Sequence, residues 1–342
     1  MAIADKVSDW QIVIPTVQMR ISNDPPIGGR WAVGDICFMS REMTEQFLQP
    51  PNVFSAPLPE QKDWILQKTQ AFAVVRRQGR QGDLMKSAFK EVREAAQILA
   101  STDAFYSERH MNSGFNLQGY PVVTAQNAHF LDTATDSITG TSNQRGALMP
   151  FTLDASWYDL IKNIGLIELF SAITDATLDD AWRRQIRRGA ACIGRSLMSL
   201  ERSDAFLYNI FAMETLLTKP GERSGRMLAK RIKGMTGWHL KVHRPKYDDE
   251  LKDIFETRCD AVHDAKYENL TAEHLLLADL YAKNSLLNVV NNRTVFKNKD
   301  SLTAKLDEWA DKENWPRTHD IYKLRWFGHT TFDPKDLDLS LW

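Results

Sequence analysis

Cysteine is scarce in this chain. Cys37, Cys192 and Cys259 are odd in number, far apart and never in CxxC spacing. That pattern speaks against a disulfide framework and for a reducing compartment. Long apolar runs are also missing, since none approaches the roughly 20 residues of a membrane span. The opening stretch, MAIADKVSDWQIVIP, has no basic region followed by an apolar core, so no secretion signal is expected. A soluble, cytoplasmic protein is the expectation. Phosphate loops are absent as well. Gly28-Gly29 and Gly79-x-x-Gly82 belong to neither a Walker sequence nor a GxGxxG turn, so ATP-driven and dinucleotide chemistry are not expected, and no cofactor is implied. No internal repeat or low-complexity tract occurs. Charge of one sign is lacking too, with a formal net charge of −1. A nucleic-acid binder with this balance must segregate its charge onto one face.

What is present is enough chain for two domains, 342 residues against roughly 100–200 per domain. The first 150 residues mix short strand-like runs with turns. Trp10 to Ile21 is a β-type run interrupted by Pro15 and ended by Asn23-Asp24-Pro25-Pro26-Ile27-Gly28-Gly29. Val33 to Met39 is a further apolar run, and Phe72 to Arg76 reads as a strand. Asp83 to Leu99 reads as a helix that Asp83 can cap, with Leu84, Ala88, Val92, Ala95 and Leu99 at helical spacing. Tyr120 to Thr124 and Ala128 to Leu131 are candidate strands. Thr133 to Asn143 reads as a loop or linker. Residues 1–150 are therefore expected to form an α+β domain.

After Pro150 the strand signals stop. Helices are expected over Trp157 to Thr174, Asp179 to Leu200, Asp204 to Leu217, Gly225 to Met235, Asp248 to His263, Thr271 to Asn291 and Ser301 to Trp309. Lys219-Pro220-Gly221 is a helix stop, and Thr271 with Glu268 and Glu273 suits a helix start. Residues 151–297 are expected to be an all-α domain. Residues 298–342 form a C-terminal extension whose end, Arg325 to Trp342, is aromatic and irregular.

One segment carries chemistry: Phe255-Glu256-Thr257-Arg258-Cys259-Asp260-Ala261-Val262-His263. With eight histidines in the chain, an Arg and a His this far apart are expected by chance, so position matters more than spacing. The segment ends a predicted helix within an all-helical array. Ahead of it lie Phe206-Leu207-Tyr208-Asn209-Ile210-Phe211-Ala212-Met213-Glu214-Thr215-Leu216-Leu217 and then Arg226-Met227-Leu228-Ala229-Lys230-Arg231-Ile232.

In order and spacing these three segments resemble HEPN domains of the ApeA-like kind, over about residues 176–295. The first resembles the family's A-L-E-x-L-L helix, and Ile254 to His263 resembles its lY-x-x-R-x-x-ivH signature. Asp264 stands where the family often has Gly, and Cys259 where a polar residue is common. The resemblance implies an all-α HEPN bundle after the α+β domain, and a metal-independent endoribonuclease. In such enzymes the RNA 2′-hydroxyl attacks the adjacent phosphate, leaving a cyclic phosphate and a free 5′-hydroxyl. Histidine suits the proton transfers near neutral pH, and a guanidinium suits the crowded phosphorane. Residues five apart on a helix are rotated by about 140°, so Arg258 and His263 do not share one face. Either the helix ends near His263, or residues of two protomers meet. The resemblance favours the second, a homodimer pooling both residues at a shared cleft. Glu214 and Asp260 are candidates to orient them. Relatives resemble bacterial anti-phage defence or toxin-type effectors, which would make the N-terminal domain a sensor of a phage or regulatory trigger.

Other readings stand beside this one. Arg258 could pair with Glu256 or Asp260 on the surface, with His263 as a helix cap. The module could bind RNA or a protein partner without cutting. Residues 219–246 are strongly basic, and Arg226, Lys230, Arg231 and Lys233 are candidates for phosphate contact. Trp238 is a candidate for base stacking. The bland alternative is a solvated helix face with a core tryptophan. Arg183, Arg184, Arg187, Arg188 and Arg195 make a second basic cluster covering more than one helical face, part of it expected to be salt-bridged. His239-x-x-x-His243 with Cys259-x-x-x-His263 could hold zinc, although no known zinc pattern has this intervening loop.

Overall fold

A mixed α+β part is followed by a helical one, as strand and helix patterning suggest. The computed structural model describes residues 7–47, 69–103, 115–117, 126–132, 137–143, 150–199, 201–222, 224–244, 246–263, 266–316 and 321–328. These fall into two compact units. One is built mainly from Met1–Ala96 and Glu108–Tyr158, the other from Gln97–Ser107 and Asp159–Ser340.

The first unit holds β1 (Ser8–Val17), β2 (Met19–Ile21), β3 (Arg30–Val33), β4 (Ile36–Ser40), α1 (Arg41–Phe47), β5 (Ala71–Gly79), most of α2 (Gln81–Ala100), β6 (Asn116–Leu117), β7 (Gln126–Asp132), β8 (Ser137–Asn143) and β9 (Phe151–Leu153). A five-stranded antiparallel sheet has the order β3-β4-β5-β1-β6, while β2 pairs in parallel with β9. Ile14, Phe38, Phe72, Ala88, Val92 and Ala95 are fully buried in the core of this unit. The unit is α+β, as expected, with several local corrections. The first run breaks at Gln18, which has φ 55°, and not at Pro15, the last residue of β1 paired with β5. The run from Val33 to Met39 contains a hairpin, because Gly34 (φ 60°) and Asp35 turn the chain between Val33 and its partner Ile36. Asp83 lies in the first turn of α2 and not before it. The expected linker at Thr133 to Asn143 supplies β8, antiparallel to β7, since its threonines suit a pleated strand. Tyr120 to Thr124 lies outside the described residues.

The second unit is helical. After α3 (Ala155–Ile164) come α4 (Glu168–Ala172), α5 (Asp180–Leu197), α6 (Arg202–Leu217), α7 (Ser224–His243), α8 (Tyr247–His263), α9 (Ala272–Asn291) and α10 (Lys299–Lys312). The single helix expected over Trp157 to Thr174 is two, broken at Gly165. Its φ of +84° disfavours any side chain, and a Cβ there would lie 2.6 Å from Asn291 Oδ1. The helix expected to end at Met235 continues to His243. Asp179 caps α5 by accepting from the Trp182 amide. Thr271 caps α9 in a capping box in which its own amide donates back to the His274 ring, where a glutamate commonly accepts. Among the described residues no helix is long and apolar enough to cross a membrane.

Helix α9 is buried from Leu275 to Val290 on every side, yet carries Asp279, Lys283, Asn284, Ser285 and Asn288, with Asn292 buried just beyond its end. Buried polar groups as a rule find partners, and of these only the Ser285 hydroxyl has none among the described residues. Asn209 on α6 donates to Asp279 at 2.5 Å. Lys283 donates to the carbonyls of Ser101 and Asp103, just past the end of α2. Asn284, Asn288 and Asn292 form a ladder. Their Nδ2 groups donate to the carbonyls of Phe327, Arg325 and Lys323 at 2.8, 2.9 and 3.1 Å. Their Oδ1 atoms accept from the amides of the same residues at 2.8, 2.7 and 2.6 Å. Each Nδ2 also donates to the carbonyl four residues back on α9. The match is geometric. Four helical residues rise about 6 Å, close to the roughly 6.6 Å spanned by two strand residues.

The ladder holds an extended strap. From it Tyr322 packs on Phe296 and Trp309, and Trp326 stacks on His239 of α7. The extension is therefore part of the helical unit as far as Gly328. Asn288→Ala is expected to lower the free energy of unfolding by about 1–3 kcal/mol, read by urea denaturation. Limited trypsin digestion should then cut faster after Lys323 and Arg325, whereas unchanged protection would show that the ladder does not hold the strap.

Candidate functional site

The two helices singled out by the sequence meet. Helix α6 buries Phe206, Ile210, Met213 and Leu216, which turns Glu214 toward α8. Helix α8 buries Leu251, Ile254 and Phe255 and so presents Arg258 to α6. Arg258 Nη2 donates to Glu214 Oε1 at 3.1 Å, with the two side chains 17% and 21% exposed. The partner of Arg258 is thus on another helix, 44 residues away, and not Glu256 or Asp260 nearby. Glu256 instead faces Lys252 at 3.7 Å. Arg258 Nε is buried with no partner among the described residues. The guanidinium is thus anchored to a carboxylate through Nη2, while its Nε donor is left unsatisfied.

Asp260 is half-buried, and its backbone carbonyl accepts from the Lys266 amide at 3.2 Å. Its side chain is not brought onto Arg258. Cys259 is exposed. His263 is the last residue of α8; its side chain and Asp264 lie outside the described residues. The helix is continuous from Arg258 to its end at His263, so the rotation of about 140° between them applies.

The basic segment ahead of the site is arranged differently from the expectation. Arg231 is only 2% exposed. Its guanidinium is bonded twice to Glu222 and twice to Asp307, and also to the Leu217 carbonyl that ends α6. Its donors are all engaged. Burial opposes its charge, but these bonds outweigh it and raise its pKa. The bond from Arg231 in turn holds Glu222 down at about 2. Lys230 pairs with Asp311 at 2.8 Å, and Lys233 with Glu313 at 3.0 Å and Asp248 at 3.4 Å. Lys219 and Lys241 pair with Asp300 and Glu313. Arg231 is therefore a structural clamp between α7 and α10, and Lys230 and Lys233 are neutralised cations. Of the expected set, Arg226 is exposed. Trp238 is half-buried, and its Nε1 has no partner among the described residues. The acids that neutralise α7 lie mostly some 70 to 80 residues downstream. Only the recurrence of Asp300, Asp307 and Asp311 along α10 hints at them.

His239 and His243 do not stand as isolated ligands. His239 stacks on Trp326 at 4.4 Å, lies 4.4 Å from His243, and meets Trp238 edge-on at 5.2 Å. Among the described residues no group of three His, Cys, Asp or Glu side chains gathers as a metal site would require. Comparison with family models, curated proteins and solved structures returns no match.

Burial, followed by the neighbouring His243, pushes His239 down to about 4 from the usual 6.5. The unfolded chain then takes up a proton near pH 6.5 that the folded chain refuses until about pH 4. Stability is full above that window and falls as the pH drops through it. Thermal midpoints measured from pH 7 to 4 should decline in the wild type and flatten in His239→Phe, which keeps a ring against Trp326. The loss that begins below pH 4.5, where Glu222 of the unfolded chain takes up a proton that the folded chain refuses until about pH 2, should persist in both.

Proposed function

We propose that the helical unit is a metal-independent endoribonuclease of the HEPN kind. The observation that carries this reading is the Glu214–Arg258 contact. It joins the two segments whose resemblance to that family was independent of any contact between them. Arg258 supplies positive charge to the phosphorane, and Glu214 positions its guanidinium. His263 exchanges protons. As a base it removes the proton of the 2′-hydroxyl, whose oxygen bonds to phosphorus. The bond from phosphorus to the 5′-oxygen breaks, and that oxygen takes a proton from an acid. The products are a 2′,3′-cyclic phosphate and a 5′-hydroxyl.

Base and acid must stand on opposite sides of the phosphorus, and one helix end offers one histidine. A second copy of the chain supplies the other. Val262 and Tyr267, 43% and 44% exposed beside His263, suit a surface that such a copy covers. By analogy with the resembled family, the α+β unit restrains the nuclease until a phage or another trigger releases it. Asp260 keeps a place as a second orienting carboxylate in the paired assembly.

Purified protein given labelled single-stranded RNA in excess EDTA is expected to cut it. Arg258→Ala and His263→Ala should each lose about 10²–10⁴ in rate while remaining folded. Val262→Glu should convert a sedimenting dimer to monomer and lower the rate with it. Wild-type rates in both Arg258→Ala and His263→Ala would remove the catalytic reading. RNA bound but never cut would favour a binding module instead.

A further inference from the structure

Arg226 is not the one exposed cation of the helical unit, since α5, outside the basic segment that the sequence emphasised, carries others. Helix α5 contains a single acid, Asp180, which pairs with Arg183. Trp182, Ile186, Gly189, Ala190, Ile193 and Leu197 are buried, which leaves Arg184, Arg188 and Arg195 exposed. Arg184 and Arg188 make no ion pair with any described residue. Positions 184, 188 and 195 fall within about 40° of one another around the helix, so they form one stripe. Its steps are about 6 and 10 Å along an axis of about 16 Å.

The stripe continues across α6. Helices α5 and α6 run antiparallel, with Ser196 Oγ donating to the Ala205 carbonyl at 2.7 Å and Gly189 set against Leu216. The Arg195 guanidinium lies 4.3 Å from the ring centre of Tyr208. Tyr208 meets Phe211 edge-on, and Phe211 is 38% exposed. Tyr208, Phe211 and Glu214 step around α6 by about 60° each and back along the antiparallel α5, so the path turns at Arg195 and returns to the contact with Arg258.

We propose that the stripe Arg184–Arg188–Arg195, continued by Tyr208 and Phe211, is a track for single-stranded RNA leading to Arg258. The proposal rests on the ribonuclease reading and specifies how its substrate is held. Guanidiniums aligned along one helix face, two of them in no ion pair with a described residue, suit the repeating charge of a phosphodiester backbone. An exposed aromatic at the end of the stripe suits an unpaired base. An anionic membrane fits less well, because insertion requires a free apolar face and that of α5 is buried in the bundle.

The test uses the full chain and a fluorescent 2′-O-methyl oligouridylate, which cannot be cut by its own 2′-oxygen. Binding is thereby separated from catalysis. Arg184→Glu/Arg188→Glu should weaken binding about tenfold or more and reduce the slope of log affinity against log salt by about 1.4. Lys86→Glu/Lys90→Glu makes the same charge change on exposed residues of α2 and should leave affinity within about threefold. Phe211→Ala should weaken binding about fivefold without changing the salt slope.

Equal losses in the two double variants would overturn the track. So would unchanged affinity in the α5 variant, no binding by the wild type, or binding to phosphatidylserine vesicles in place of RNA. Binding lost specifically in the α5 variant, in a protein that never cuts RNA, would keep the track and remove the nuclease. Cutting that depends on His263, with affinity indifferent to α5, would do the reverse.

Discussion

The helical unit is organised by one demand: the amide and charged side chains of a helix buried on all sides need hydrogen-bond partners, and only the smaller Ser285 hydroxyl goes without one among the described residues. Helix α9 carries Asp279, Lys283, Asn284 and Asn288 inside the protein, and Asn292 at its end. Each would cost about 1–3 kcal/mol if left unpaired, more if charged. Meeting that demand fixes the neighbours. Asp279 takes Asn209 and so sets α6. Lys283 takes the backbone just after α2. The asparagine ladder takes the strap, and Tyr281 reaches Glu250 of α8 at 3.4 Å. Apolar burial supplies the larger driving force, but it is non-directional. The polar contacts choose this arrangement of helices over others of equal burial.

The proposed function rests on where those neighbours are put. With α6 held by Asn209 and α8 held through Glu250, Glu214 and Arg258 face each other. The Arg231 clamp ties the end of α6 to α7 and α10. It also consumes charge, since the acids of α10 and its end neutralise most of α7. A chain with net charge −1 thus pairs most of the cations of α7, while Arg184 and Arg188 of α5 make no ion pair with any described residue. Close backbone contact contributes here as well. A Cβ on Gly234 of α7 would lie 2.3 Å from the Leu306 carbonyl of α10, so glycine is what lets those two helices meet.

Much of the fold was legible from periodicity. Most helices after Pro150 lie near their expected places because their apolar residues repeat with the helical period, and Lys219-Pro220-Gly221 does end α6. The misreadings have physical causes. Ser137 to Asn143 resembles a loop by composition, but its threonines are β-branched and a partner strand is available. Gly165 breaks a continuous helical pattern through its backbone conformation, which periodicity does not record. The ladder is invisible because asparagines inside a helix read only as weak helix formers, and their partner is an extended segment about 30 to 40 residues away. At the site, Arg258 and Glu214 were legible together only through resemblance. The roles assigned to Arg231, Lys230 and Lys233 were not, since whether a cation is free depends on distant acids. The stripe on α5 looked like several faces until burial separated Arg183 from Arg184, Arg188 and Arg195.

The most direct test of the central claim is the chemistry of the cut ends. RNA incubated with the purified protein, in EDTA, should yield fragments whose termini carry a 2′,3′-cyclic phosphate and a 5′-hydroxyl by mass spectrometry. A single 2′-deoxynucleotide at the cleaved position should block the cut. Fragments bearing a 5′-phosphate and a 3′-hydroxyl, or cleavage indifferent to the missing 2′-oxygen, would contradict an Arg258–His263 transesterification.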